Sequence, residues 1–188
     1  SYFSLMGKKL LLLIILLFSF TTTEKVLFVG DSLTCYPGGW QDMLTKKMGW
    51  KSDNVSQIGK TTDWMYKKLS DQLKYHSYNI VFMYGGCNDA FGNVDLSKVV
   101  QNVQNMIDLC NKNSIEVYVI CGYDVNNVMR SKKPQKRYGE LMRKYLNELR
   151  DCHIICPCKT VEKGDSEDGV HINLNGQKKF YKWILSNL

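Results

Sequence analysis

The sequence predicts an α/β domain built on a mainly parallel, five-stranded sheet. Three observations carry that expectation. Short β-rich runs alternate with stretches of helical periodicity along the chain. The runs at 79–84 and 115–121 are almost unbroken in apolar character, as strands covered on both faces must be. Unusual polar motifs fall directly after the strands, where the carboxyl edge of a parallel sheet gathers its ligand-binding groups.

Each element has a local reason. Lys25 to Val29 is a short β-rich run ending at Gly30, and a helix follows over about 39–48 with Trp40, Met43, Leu44 and Met48 near helical spacing. Asn54 to Ile58 is a weaker second strand. Asp63 to Lys74 is helical, with Met65, Leu69 and Leu73 at steps of four. Asn79 to Tyr84 is the third strand. Asp95 is placed to cap a helix reaching about Asn113, whose stripe is Val99, Val103, Met106, Ile107 and Cys110. Ile115 to Cys121 is a fourth strand, Pro134 to Arg150 a helix with Tyr138, Leu141, Met142, Tyr145 and Leu149 inward, and His153 to Cys156 a short fifth strand. The last helix runs over about 173–187, with Leu174, Phe180, Ile184 and Leu188 expected inward. Right-handed crossovers then place helices on both faces of the sheet.

Composition narrows the class. The 188 residues suit one domain, and 44% hydrophobic with 23% charged residues can build a core. Three prolines and no repeat argue against linker-rich or solenoid architectures. The net charge of +7 permits an anionic partner without demanding nucleic acid. Residues 1–23 read as a signal peptide or N-terminal hydrophobic anchor, leaving 24–188 as the domain. Lys8 and Lys9 precede the apolar run Leu10 to Phe18, which with Ser19 and Phe20 is too short to span a bilayer. The expected location is secreted, periplasmic or cell-surface, with membrane contact only through residues 10–20 if that segment stays attached. Without its two lysines the chain carries +5.

Seven cysteines leave one thiol without an internal partner. Cys110 and Cys121 sit in apolar stretches as small core residues. Cys152, Cys156 and Cys158 lack zinc-ligand spacing, so no metal and no cofactor is expected. Asn54-Val55-Ser56 is a glycosylation acceptor only in a host that glycosylates exported chains. The four tryptophans are expected in the core or at helix contacts. Arg130 to Arg137 carries five cations in eight positions, read first as a solvated helix entrance and second as an attractor of an anionic polymer or lipid headgroup. Without interleaved aromatics it does not support single-stranded nucleic-acid binding.

Four motifs follow the strands. Gly30-Asp31-Ser32-Leu33 places a serine on the strand-to-helix turn, where the next helix's positive end favours developing negative charge. Gly59-Lys60-Thr61-Thr62 lets the backbone approach a ligand. Gly86-Cys87-Asn88-Asp89 offers an amide donor for an oxyanion. Asp168-Gly169-Val170-His171 puts a carboxylate and an imidazole on one loop, where His171 can take the Ser32 proton while Asp168 holds its other nitrogen. Each motif alone is also an ordinary turn or helix cap. Together, in this order and after these elements, they are the parts of one site.

With those four blocks in place, the chain resembles the SGNH, or GDSL-type, hydrolase family over nearly everything after residue 24, including Ile172 to Gly176 leading into the last helix. The resemblance implies a three-layer α/β/α flavodoxin-like fold with five parallel strands, and a metal-free serine-ester hydrolase. It implies Ser32 as nucleophile, His171 as general base and Asp168 as its orienting partner. The Ser32 and Gly59 N–H groups and the Asn88 amide would form the oxyanion hole, with Asp31 and Asp89 supporting the loops. Cys87 and Lys60 depart from the family's usual residues and are expected to alter the acyl pocket. Short loops and the lack of a lid insertion point to a small acyl group, hence an O-acetyl esterase on carbohydrate or other small-acyl esters. The alternatives are a lysophospholipase or thioesterase for longer acyl chains, a binding module that has lost catalysis, and a membrane-tethered surface protein.

Overall fold

A computed structural model describes residues 23–122, 132–157, 160–166, 168 and 170–188. The expected signal or anchor segment lies outside them, as do Cys158, Gly169 and residues 130 and 131 of the basic stretch. Five parallel strands form the sheet: β1 (Lys25–Gly30), β2 (Lys51–Asn54), β3 (Ile80–Tyr84), β4 (Glu116–Ile120) and β5 (His153–Ile155). Their order is β2-β1-β3-β4-β5. The helices are α1 (Trp40–Met48), α2 (Thr62–Tyr75), α3 (Cys87–Phe91), α4 (Leu96–Lys112), α5 (Lys132–Glu148) and α6 (Leu174–Leu185). One group packs α1 on α6, and the other packs α2 and α5 on α4. This is the expected α/β class.

Side chains alternate across each strand, and the two faces differ in chemistry. Phe28 of β1, Phe82 of β3, Tyr118 of β4 and His153 of β5 are register partners. Their rings stack in a row at 5.3, 4.9 and 4.8 Å between centroids. Trp40 packs against this face, edge-on to Phe28, Phe82, Tyr84 and Phe180. Val81 and Met83 occupy the alternate positions of β3, and Met65, Leu69, Val103 and Ile107 of α2 and α4 are buried as well. Asp95 caps α4 as anticipated, accepting from the Ser97 and Lys98 N–H groups at 2.7 and 3.3 Å.

Several expectations need correction. Strand β2 lies at Lys51–Asn54, just before the stretch proposed for it. It is the sheet edge, polar and largely exposed, so it leaves no apolar run to read. Backbone bonds from Val55 and Gln57 to Phe28 and Gly30 carry its contact with β1 onward, which is why 54–58 looked strand-like. The Asn54 amide donates to the Thr34 carbonyl at 2.9 Å, so this sequon nitrogen already serves the fold. Leu174 and Leu188 are exposed. Six residues of helix set Leu174 about 240° around the axis from Phe180, and Leu188 lies past the helix end. Trp183 is 41% exposed and Met48 43%, while Trp40 is fully buried. Arg137 donates to the carbonyls of Ala90 (3.1 Å) and Val94 (2.5 Å). It ties α5 to the turn after α3, a structural use that the basic-stretch reading did not anticipate.

Trp40 links the core to the loop after β1, because its indole N–H donates to the Leu33 carbonyl at 3.1 Å. Trp40→Phe removes that donor from a buried carbonyl and should lower unfolding free energy by about 2 kcal/mol in urea titration. Trp183→Phe, at an exposed position, should stay within about 0.5 kcal/mol of wild type.

Candidate active site

The Asp31–Thr34 turn closes with the Thr34 N–H donating to the Asp31 carbonyl at 3.1 Å. It presents half-buried Ser32 at the carboxyl edge of the sheet. Helix α1 starts only at Trp40, so Ser32 does not sit on a helix N-terminus as the sequence suggested. Pro37 has no N–H to extend a helix, and Gly38 adopts φ +70°. The intervening loop instead becomes a wall of the site.

His171 reaches Ser32 from the far end of the chain, with Nε2 2.9 Å from Oγ. Its Nδ1 lies 2.6 Å from Asp168 Oδ2. Burial is the largest single influence on Asp168 and opposes its ionisation, but the His171 ring and the N–H groups of Val170 and His171 together outweigh it and hold the carboxyl well below the usual range. An ionised carboxylate has no proton to give, so Nδ1 is the donor and neutral His171 offers a bare Nε2 to the Ser32 hydroxyl. The three side chains thus form one hydrogen-bonded chain, open to solvent, with Asp168 and His171 about half exposed.

The loop that carries them is anchored by a residue sequence reasoning missed. Asp165 is buried in the 3₁₀ turn Lys163–Asp165, before the short pairing of Ser166 with Ile172. Its carboxylate meets Lys179 Nζ at 2.8 Å and accepts from Asn175 at 2.7 Å, while its carbonyl accepts from the Asn173 N–H at 2.7 Å. The loop is therefore fastened to α6, whose N-cap is Asn173 and not His171. The sequence signal was an acid with polar partners at i+10 and i+14, which no local motif exposes.

The other two blocks converge on the same edge. Asn88 lies in the first turn of α3, where Gly86 takes φ +105° and a Cβ would stand 2.6 Å from the Tyr145 hydroxyl. The Asn88 amide nitrogen donates to the Lys60 carbonyl (3.0 Å) and lies 3.3 Å from Asp31 Oδ2. Gly59 is exposed at φ +73°, a left-handed turn that suits glycine. Its neighbour Ile58 lines a cavity that Ser32 also lines. Asp89 accepts from the Thr62 N–H and hydroxyl at 2.9 and 3.0 Å, so it caps α2 from another loop, and Thr61 makes no side-chain cap. Both acids expected to support loops do so. Cys87 is 4% exposed and burial pushes its thiol up, which makes it core and not pocket wall. Lys60 extends its ammonium over the Trp64 ring at 5.6 Å. Among the described residues no group of three or more His, Cys, Asp or Glu could hold a metal ion.

Asp31 is fully buried, and desolvation pushes its carboxyl up to about 7 against the stabilising Leu33 N–H. The folded chain therefore holds a proton there that the unfolded chain releases from about pH 4. Wild type should lose stability as pH rises through that window, on the order of 2–4 kcal/mol by pH 8. Asp31→Asn cannot ionise and should lack this slope. Urea titrations at pH 4.5 and 8 check it, and parallel behaviour of the two proteins would count against it.

Comparison with known proteins follows this geometry. The model of the GDSL-like Lipase/Acylhydrolase family matches residues 28–179. No curated protein sequence matches the chain. A solved lipolytic protein of the G-D-S-L family from Desulfitobacterium hafniense superposes with TM-score 0.74 at 18% identity, over 88% of this chain and 100% of that one. An acetyl xylan esterase, AlAXEase, gives 0.70 at 18%, over 86% and 98%. Axe2, an acetylxylan esterase from Geobacillus stearothermophilus solved as a D191A mutant, gives 0.71 at 14%, over 87% and 93%. At these identities the structural likeness speaks for the fold, while the family model spans most of the sequence: the chain belongs to the GDSL-like lipase/acylhydrolase family and is a hydrolase acting on ester bonds.

Proposed function

We propose that the chain cleaves carboxylic esters through an acyl-enzyme on Ser32, with a small acyl group such as acetyl. The observation that carries this reading is the Ser32–His171–Asp168 hydrogen-bonded chain. Ser32 Oγ attacks the carbonyl carbon as its proton passes to His171 Nε2. The carbon–oxygen bond to the alcohol then breaks, and the alcohol leaves with that proton. Water next attacks the acyl-enzyme, again giving a proton to His171, and the acid leaves as Oγ recovers its hydrogen. Asp168 keeps Nδ1 as the donor and stabilises the imidazolium.

Charge developing on the carbonyl oxygen would meet the Ser32 and Gly59 N–H groups and the Asn88 amide. At rest the Asn88 amide donates to the Lys60 carbonyl at 3.0 Å and to Asp31 Oδ2 at 3.3 Å, so a reacting carbonyl oxygen would take over the longer Asp31 contact while Lys60 keeps the amide plane fixed.

Two of the structural relatives named above are acetylxylan esterases, which favours small acyl groups and acetylated carbohydrate as one alcohol class. Longer acyl chains are the second reading, which holds if the apolar cavity beside Ser32 receives the acyl group and not the alcohol. A catalytically silent module does not fit an intact proton path. We also propose export or surface anchoring through residues 1–23, which N-terminal sequencing of the mature chain tests. Among the described residues no helix is long and apolar enough to cross a membrane.

Ser32→Ala and His171→Ala should each lower kcat on p-nitrophenyl acetate by at least about 1000-fold. Asn88→Ala should cost on the order of 100-fold, mainly in kcat. Near-wild-type turnover by Ser32→Ala would end the acyl-enzyme reading. A steep fall in kcat/KM from acetate to octanoate esters supports the small acyl group, and the reverse order supports the longer-chain reading.

A further inference from the structure

We infer that the cavity beside Ser32 seats the alcohol portion of the ester and that this portion is apolar. The inference rests on the ester-hydrolase reading and narrows its alcohol to an apolar one, in place of acetylated carbohydrate. The cavity measures about 330 Å³, within the usual range of small-ligand pockets. Its walls are Leu33, Cys35, Tyr36, Pro37, Ile58 and Ile172, with Ser32 and His171 at its edge. Tyr36 and Ile58 stand exposed on its rim, Ile58 at 73%. An exposed isoleucine and tyrosine lining one cleft with the nucleophile are apolar surface suited to an apolar ligand.

The side follows from the proton path. The leaving oxygen must take its proton from His171 Nε2, so the alcohol departs on the His171 side of Ser32. The cavity includes His171 and the next residue, Ile172, whereas Asn88 is not among its walls. The acyl group has to lie away from that histidine. Beyond the edge residues, the polar groups of the wall are the Tyr36 hydroxyl, at the exposed rim, and Gln177, whose Oε1 already accepts from the Trp40 backbone N–H at 3.0 Å. A sugar, with hydroxyls on most carbons, would leave polar groups without partners against Leu33, Pro37 and Ile58. A linear or aromatic alcohol would bury carbon against carbon. The smaller cleft of about 240 Å³ along Asp168, His171 and Asn173 is the more polar neighbour and remains open to water.

The test uses two ester series and one sugar ester, followed by acid release. The alcohol series runs from methyl to hexyl acetate, the acyl series from methyl acetate to methyl hexanoate, and the sugar ester is 6-O-acetylglucose. The expected kcat/KM rises about threefold to fourfold per methylene over the first carbons of the alcohol series, and does not rise in the acyl series. Ile58→Ser removes a wall at an exposed position, and Cys35→Leu fills the cavity from another side. Both should lower the hexyl-to-methyl acetate ratio, by about fivefold or more. A flat alcohol series, a ratio that neither variant moves, variants that reshape the acyl series instead, or 6-O-acetylglucose turned over faster than hexyl acetate would each overturn the assignment while leaving Ser32 chemistry standing. No ester hydrolysis by wild type, or full activity in Ser32→Ala, would remove the hydrolase reading and this inference with it.

Discussion

The structure turns on one hydrogen bond, the 2.9 Å contact between Ser32 and His171, which joins residues 139 apart in sequence. Ser32 belongs to a turn clamped onto β1, and His171 to a loop that precedes the last helix. Neither side chain can fix the other's backbone, because Ser32 is only half-buried and His171 is exposed, its ring held by Asp168 from the same loop. The distance is therefore set by what holds the two backbones. On the serine side, the Leu33 carbonyl is tied to Trp40 in the aromatic core. On the histidine side, Asp165 binds the loop to Lys179 and Asn175 of α6. Since α6 packs on α1, and Gln177 of α6 accepts from the Trp40 N–H, both anchors meet at the same tryptophan. Core packing and proton geometry are thus one mechanical system.

A second system ties the loops after β1, β2 and β3. Asn88 touches Asp31 and the Lys60 carbonyl, so one amide meets groups from all three loops. Asp89, the next residue, grips the start of α2 through Thr62, and Asn102 of α4 donates to the same Thr62 hydroxyl at 3.1 Å. An amide that is to serve as the proposed oxyanion donor has to be held in place ahead of the reaction. These contacts hold it in place before substrate arrives, so little reorganisation is left for the reaction step.

Much of this was legible in the chain, and the illegible parts share a cause. Strands β3 and β4 are buried on both faces, so their burial is written as continuous apolar runs, and α4 carried both a stripe and a cap. The motifs of Ser32, Gly59 and Asn88 follow strands β1, β2 and β3 and so share the carboxyl edge, while His171 lies just before α6 and reaches that edge through the Asp165 anchor. Strand β2 was misplaced because an edge strand is specified by a neighbour's backbone and not by its own side chains. Asp165 and Arg137 were invisible because their partners are side chains and carbonyls chosen by tertiary contact. Leu174 points outward because six residues of helix turn it about 240° from Phe180, which apolar character alone does not reveal. Local chemistry was readable where the residue's purpose was local or periodic, and unreadable where it was a bond to a distant element.

Asp31 shows why such distant bonds are kept despite their cost. A carboxyl buried completely, with Asp89 nearby as a second acid, destabilises the fold whenever it ionises. An apolar residue there would remove the cost, but it would also leave the Leu33 N–H without its acceptor and Asn88 with one contact fewer. The Leu33 bond shapes the turn that presents Ser32, and the Asn88 contact lies beside the amide assigned to the oxyanion. Asp31 is coupled electrostatically to His171, so a positive charge on that ring would offset part of the penalty. In the proposed attack, where His171 takes the Ser32 proton, an ionised Asp31 would by the same coupling favour the imidazolium, so the burial that weakens the fold bears directly on the chemistry proposed for it.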